Sequence, residues 1–282
     1  LWNGCLHTES FKAKINMEGN TMAEAQNEDR PRNSLRGQVS EAEWETRVAL
    51  AAGCRVAQNF GWNNSIRNHL TARVPDEPEK FLMNPVGLMW SEITASDFLK
   101  VDFDGNVYTE SEMPPGPAGL SFHGAILKAN PHLHCSFHLH EADGVVVSAM
   151  QNGLIYTNQE SMALYGKVGY HEFEGLAEEA LEGPRIANEL GEKTCMIMWN
   201  HGLLSVGTSI YEGFYYMQRL VEACQVQVKL MSTGAEIRHI SKEVCEHTYA
   251  QFQKRAAKRP LGQADWLAYL RLSERLDPSF KL

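Results

Sequence analysis

No stretch of this sequence runs for 18 apolar residues without interruption, which excludes an ordinary membrane-spanning helix. None of its six cysteines forms a CxxC pair, and most sit within apolar runs. That argues against a disulfide framework and for buried free thiols in a reducing compartment, so a cytoplasmic setting is expected. Positive charge is scarce: 26 Lys and Arg against 35 Asp and Glu leave a net charge of −9. Such a balance argues against non-specific binding to nucleic acid or to an anionic membrane surface. Internal repeats and low-complexity tracts are absent as well.

What remains is ordinary globular composition, 43% apolar and 22% charged, in a length that suits one large domain or two small ones. Residues 1–37 are polar and lack periodic apolar positions, so a disordered lead-in is expected. The sequence does not begin with Met, and Met17 or Met22 is a candidate start. Lys12 and Lys14 beside Phe11 and Ile15 faintly suggest a transit peptide, but the acidic residues that follow argue against one.

From Ser40 the pattern becomes regular. Ser40-Glu41-Ala42-Glu43 is a capping box that opens a helix to about Phe60, stopped by Gly61. Strands are expected up to Val74 and over 81–84, with a turn or short helix start at 94–97. Residues 98–103 and 106–108 read as a hairpin about Asp104-Gly105. A helix is expected over 118–129, and the strand 134–140 leads into a short helix from Gly144 to Met150. Residues 153–156 and 166–173 read as strands, and 176–190 as a helix interrupted at Gly183-Pro184. Strands over 195–199 and 203–206 precede helices at 209–230, 241–258 and 265–276. Strands and helices mix without a βαβ rhythm, which favours an α/β fold with a mostly antiparallel sheet covered by helices.

The chemistry concentrates in His134-Cys135-Ser136-Phe137-His138-Leu139-His140. In a strand, His138 and His140 face the same side, about 7 Å apart. His201 ends a second apolar strand, between Asn200 and Gly202. Three neutral imidazoles with one open position describe a catalytic zinc-type site. His134 shares the same face but lies at the strand entrance and is left out. Spacing alone keeps two readings open: a three-histidine metal site, or hydrogen-bonded imidazoles clustered by chance.

Several ordered stretches point further. Phe137–His140 and Trp199–Gly207, with 68–73, 84–87, 94–97, 101–105, 119–123, 166–171 and 223–228, resemble the class II aldolase/adducin family over residues 41 to about 240. The last three stretches are closest to its adducin-like branch. The resemblance implies a three-layer α/β/α fold with a central, largely antiparallel sheet. It assigns residues 38–240 to the family domain and leaves 241–282 as a helical extension packed on it. It also implies zinc or a similar divalent ion on His138, His140 and His201. Homo-oligomers, often tetramers, belong to the aldolase branch. By the same analogy Asn68, Gly87, Gly119 and His123 border the substrate.

The departure is as informative. Sugar-phosphate aldolases of this family carry Ser-Ser-Glu where this chain has Pro117-Ala118-Gly119. The acid/base carboxylate and two phosphate-binding hydroxyls are therefore missing. A retro-aldol step needs a proton taken from a hydroxyl while the metal stabilises the enediolate. Glu141 is a candidate substitute, against the plainer reading that it favours the N-terminus of the next helix. Tyr165, Tyr170 and His171 are further proton-transfer candidates, against the reading that they pack or hydrogen-bond in the core.

Three functions are therefore expected to compete. The first is a metal-dependent lyase acting on a small hydroxy or keto compound, using zinc, manganese, iron or cobalt. The second is a non-catalytic adducin-like assembly domain tied to the cytoskeleton. In adducins, actin and spectrin binding resides largely in a long tail with a basic terminus, so cytoskeletal capping by these 282 residues alone is not expected. The third is an aldolase-like fold whose metal is structural.

Overall fold

A computed structural model describes residues 34–63, 65–176 and 181–282 of the chain. Seven strands form one sheet in the order β3-β2-β1-β4-β7-β6-β5. They are β1 His69–Val74, β2 Glu77–Met83, β3 Leu99–Asp102, β4 Cys135–Leu139, β5 Val168–His171, β6 Cys195–Met198 and β7 Gly202–Gly207. Every neighbouring pair is antiparallel except β5 with β6, so the mostly antiparallel sheet is as expected. Among the described residues seven α-helices accompany it: α1 Glu41–Asn59, α2 Pro117–Ala129, α3 Ala142–Ser148, α4 Glu182–Leu190, α5 Ile210–Ser232, α6 Lys242–Ala256 and α7 Gln263–Leu276.

Side-chain alternation divides the core in two. Phe137 and Leu139 of β4 point into one apolar cluster with Leu50 of α1, Phe214 of α5 and Trp266 of α7. Met198 of β6 and Leu204 of β7 point the other way, among Phe122 and Ile126 of α2 and Ile186 of α4. The sheet is thus a middle layer between α2/α4 and α1/α5/α7. α7 is tied in by polar contacts too. The Ser273 hydroxyl donates to the Ala52 carbonyl, and Arg55 pairs with Asp277 at 3.0 Å.

The helix starts follow their chemistry. The Ser40 hydroxyl accepts from the Glu43 N–H, and Ser209 and Ser241 do the same for α5 and α6. Pro117 occupies the first turn of α2, where its missing N–H costs nothing.

The structure shortens one expected element and removes another. Gly183-Pro184 lies in the first turn of α4, where the N–H groups have no intrahelical partner to lose. The expected lead-in at 1–33 and the expected helical residues 177–180 lie outside the described residues. The hairpin about Asp104-Gly105 is present but short: Val107 bridges Val101 antiparallel, with the Asp102 N–H donating to the Asn106 carbonyl and the Tyr108 N–H to the Lys100 carbonyl. Val107 and Tyr108 stand exposed, so the returning arm has no face to bury. Residues 153–156 are not a strand. Their backbone is satisfied by side chains: the Leu154 N–H donates to the Tyr170 hydroxyl, and Gln227 bonds both Ile155 N–H and the Gly153 carbonyl.

Candidate metal centre

The strand that carries His138 lies between β1 and β7. In register, His138 stands opposite His69 on one side and Leu204 on the other. β4 ends at Leu139, and His140 follows one residue beyond it. His201 arrives through a tight turn between β6 and β7. Asn200 takes a left-handed conformation there at φ 55°, and its N–H donates to the Ser148 carbonyl. Gly202 is required for the close approach that follows, since a Cβ on it would stand 2.5 Å from the Leu139 carbonyl oxygen.

The three rings converge. Centroids of His138, His140 and His201 lie 4.7–4.8 Å apart at interplanar angles of 71–82°. One nitrogen from each falls within 4.8 Å of the others. His138 is fully buried, and His140 and His201 are half-buried, so the group is open on one side. His138 Nδ1 donates to the Leu203 carbonyl at 2.9 Å, which leaves Nε2 as a bare lone pair. That Nε2 is buried and has no partner, as a ligand nitrogen awaiting an ion would be. The donor set fits a divalent cation.

Electrostatics agree with neutral rings. Burial and the neighbouring imidazoles hold His138 well below the usual histidine range. Burial, then His140 and His171, lower His201 to about 4. Burial also lowers His140, followed by the positive charge of Arg67. Neutral imidazoles are the form that binds metal.

The other sequence candidates sit as follows. The Asn68 amide is fully engaged: Oδ1 accepts from the His140 N–H at 2.8 Å, and Nδ2 donates to the Trp62 carbonyl at 2.9 Å. It therefore anchors His140 to β1. Gly87 takes a positive φ of 110° beside Met113, and the Val86 N–H donates to the Pro114 carbonyl, on the segment leading to Gly116. His123 is completely buried, its Nδ1 hydrogen-bonded to the Ser136 hydroxyl at 2.7 Å. Gly119 packs against the ring of His69.

Glu141 caps α3. Its carboxylate accepts from the Gly144 N–H at 2.8 Å and from the Gln225 amide at 3.2 Å, while burial pushes its pKa up. Tyr170 stacks on Trp199 at 4.7 Å with its hydroxyl bonded to Leu154. His171 pairs through Nδ1 with Glu189 at 2.7 Å and lies 3.5 Å from Glu182. None of these three belongs to the converging group.

His69 was not singled out by sequence reading, yet its ring lies 5.9 Å from His138 and 5.6 Å from His123. The signal for it was the β1–β4 register, a long-range pairing with no local motif. A cavity of about 860 Å³ opens elsewhere, between α2 and α4, lined by Leu120, Ala125, Pro184 and Ala187 among others, and by none of the histidines.

Comparison with known proteins gives consistent matches. Residues 48–228 match the family described as Class II Aldolase and Adducin N-terminal domain. The crystal structure of an aldolase II superfamily protein from Pseudomonas syringae is 37% identical, with a TM-score of 0.83, covering 88% of this chain and 99% of that one. An L-fuculose 1-phosphate aldolase from Glaciozyma antarctica PI12 is 28% identical, with a TM-score of 0.73, covering 89% and 95%. Alpha-adducin of Rattus norvegicus is 41% identical over 211 residues, which are 72% of this chain but 29% of adducin. Among the described residues, no helix is long and apolar enough to cross a membrane.

Proposed function

The chain belongs to the class II aldolase and adducin N-terminal domain family, and on that premise we propose that it is a divalent-metal-dependent lyase. The reaction class is aldol cleavage or decarboxylation next to a carbonyl or hydroxyl of a small hydroxy or keto compound. The observation that carries the reading is the convergence of His138, His140 and His201, with the buried Nε2 of His138 left bare. A divalent ion on these nitrogens, zinc or else manganese, iron or cobalt, supplies Lewis-acid polarisation of a substrate oxygen.

The chain's own residues prepare the site. The Leu203 carbonyl fixes the tautomer of His138, and Asn68 fixes the backbone of His140. Glu141 and Tyr170 are positioning groups in this reading, the first for α3 and the second for the loop at Leu154. Exposed Phe173, its ring 6.5 Å from His201, supplies apolar surface beside the histidines that a second copy of the chain would cover. That supports a homo-oligomer, checked by light scattering in solution. We also propose 38–240 as the catalytic domain and 241–282 as its helical extension.

Metal analysis of the purified protein beside His138→Ala tests the proposal. Stoichiometric metal in the wild type and its loss in the variant are expected. Equal content in both would end the lyase reading. A second reading, a non-catalytic assembly domain, draws on the 41% identity to alpha-adducin. Unchanged partner binding by a metal-free His138→Ala protein would favour it.

A further inference from the structure

The converging group is all imidazole: among the described residues, no carboxylate joins His138, His140 and His201. The carboxylates nearest in sequence or contact are committed elsewhere. Glu141 caps α3 and receives Gln225, and Glu189 and Glu182 both lie on His171. A side chain at position 119 of α2 has no room to contribute one. A Cβ added at Gly119 would meet His69 Nδ1 and Cε1 at 2.9 Å, and the His69 ring fills that space. An ion on three neutral ligands would keep its full positive charge.

A second cation is carried by the residue before Asn68, the anchor of His140. Arg67 is exposed and has no ion pair or hydrogen bond among the described residues. Its neighbour Asn68 accepts from the His140 N–H at 2.8 Å, and the next residue, His69, stands opposite His138 in the β1–β4 register. Uncompensated positive charge next to an open coordination side selects an anionic chelate.

We infer that the site takes a substrate that brings its own carboxylate to the ion, a 2-hydroxy or 2-oxo acid. One carboxylate oxygen and the adjacent hydroxyl or carbonyl oxygen occupy the open side, and Arg67 pairs with the same carboxylate. His69 and Gly119 act as one unit that keeps a protein carboxylate out. This inference rests on the metal reading above.

The test uses the full chain loaded with Co²⁺, read by visible absorption while glycolate is titrated against ethylene glycol, the same skeleton without the acid. Glycolate is expected to change the cobalt spectrum and to bind at least about tenfold more tightly. Arg67→Met should lower glycolate affinity about tenfold and leave the cobalt spectrum of the free protein as it was. The double variant His69→Gly with Gly119→Glu should change that free spectrum and erase the preference for glycolate. Folding is checked separately: Gly119→Ala should lower the melting temperature in the wild type and not in the His69→Gly background. A cobalt-loaded protein that treats glycolate and ethylene glycol alike overturns this inference alone. A wild-type protein that binds no cobalt overturns the metal reading and this one with it. An equal penalty for Gly119→Ala in both backgrounds removes the role of His69.

Discussion

At the scale of single residues, the site depends on imidazoles kept neutral by burial. His69 and His201 are held at about 4, against an ordinary value of 6.5, with burial the largest cause in both. The sign follows directly. Between pH 6.5 and about 4 the unfolded chain binds protons on these rings and the folded chain does not, so stability falls as the pH is lowered. Melting of the metal-free protein should therefore be insensitive to these two rings above pH 6.5 and decline below it. A melting temperature that rises on acidification through this window would contradict the assignment. Asn68 belongs to the same scale. Asn68→Ala leaves the His140 N–H and the Trp62 carbonyl without their partners, a cost of about 2 kcal/mol in chemical denaturation. Metal affinity should weaken about tenfold with it, as for other groups that orient a ligand, measured by competition with a chelator. The HxH pair and His201 were legible because residue type and spacing carry them. His69 was not, since its place beside His138 exists only through the pairing of β1 with β4.

At the scale of elements, the turn between β6 and β7 is the most constrained piece. Asn200 in the left-handed region and Gly202 against the Leu139 carbonyl together deliver His201 to β4. Gly202→Ala forces a Cβ to within 2.5 Å of that oxygen, so the strands must part locally. Loss of about 2 kcal/mol is expected in urea denaturation, with weaker metal binding, because the ligand moves with the strand. An unchanged midpoint would show that the approach relaxes freely. Elements whose signal is local were readable: capped helices, the Asp104-Gly105 turn, and the apolar strands β4 and β7. Residues 153–156 misled because a short apolar run does not show who will take its backbone hydrogen bonds. Here Tyr170 and Gln227 do, and both come from far along the chain.

At the scale of the whole molecule, two apolar clusters lie on opposite faces of one sheet, and α7 closes one of them. Trp266 of α7 is buried beside Phe214 at 5.3 Å, and its ring stands 3.6 Å from where a Gly53 Cβ would be. Trp266→Ala should cost about 3 kcal/mol, read as a lower denaturation midpoint with a single transition. A separate early transition would instead show α7 detaching on its own. The mixed rhythm of elements announced a covered, mostly antiparallel sheet. The order of its strands stayed hidden, because order is decided by pairings between segments distant in sequence.

That order has a further consequence. β4 is the seam between β3-β2-β1 on one side and β7-β6-β5 on the other. The exposed stretch at Ser111-Glu112 precedes β4, so a protease nick there would leave all three converging histidines on one fragment and Asn68 with His69 on the other. Whether the nicked protein still takes up a divalent ion would separate the act of chelation from the scaffolding that sets its geometry.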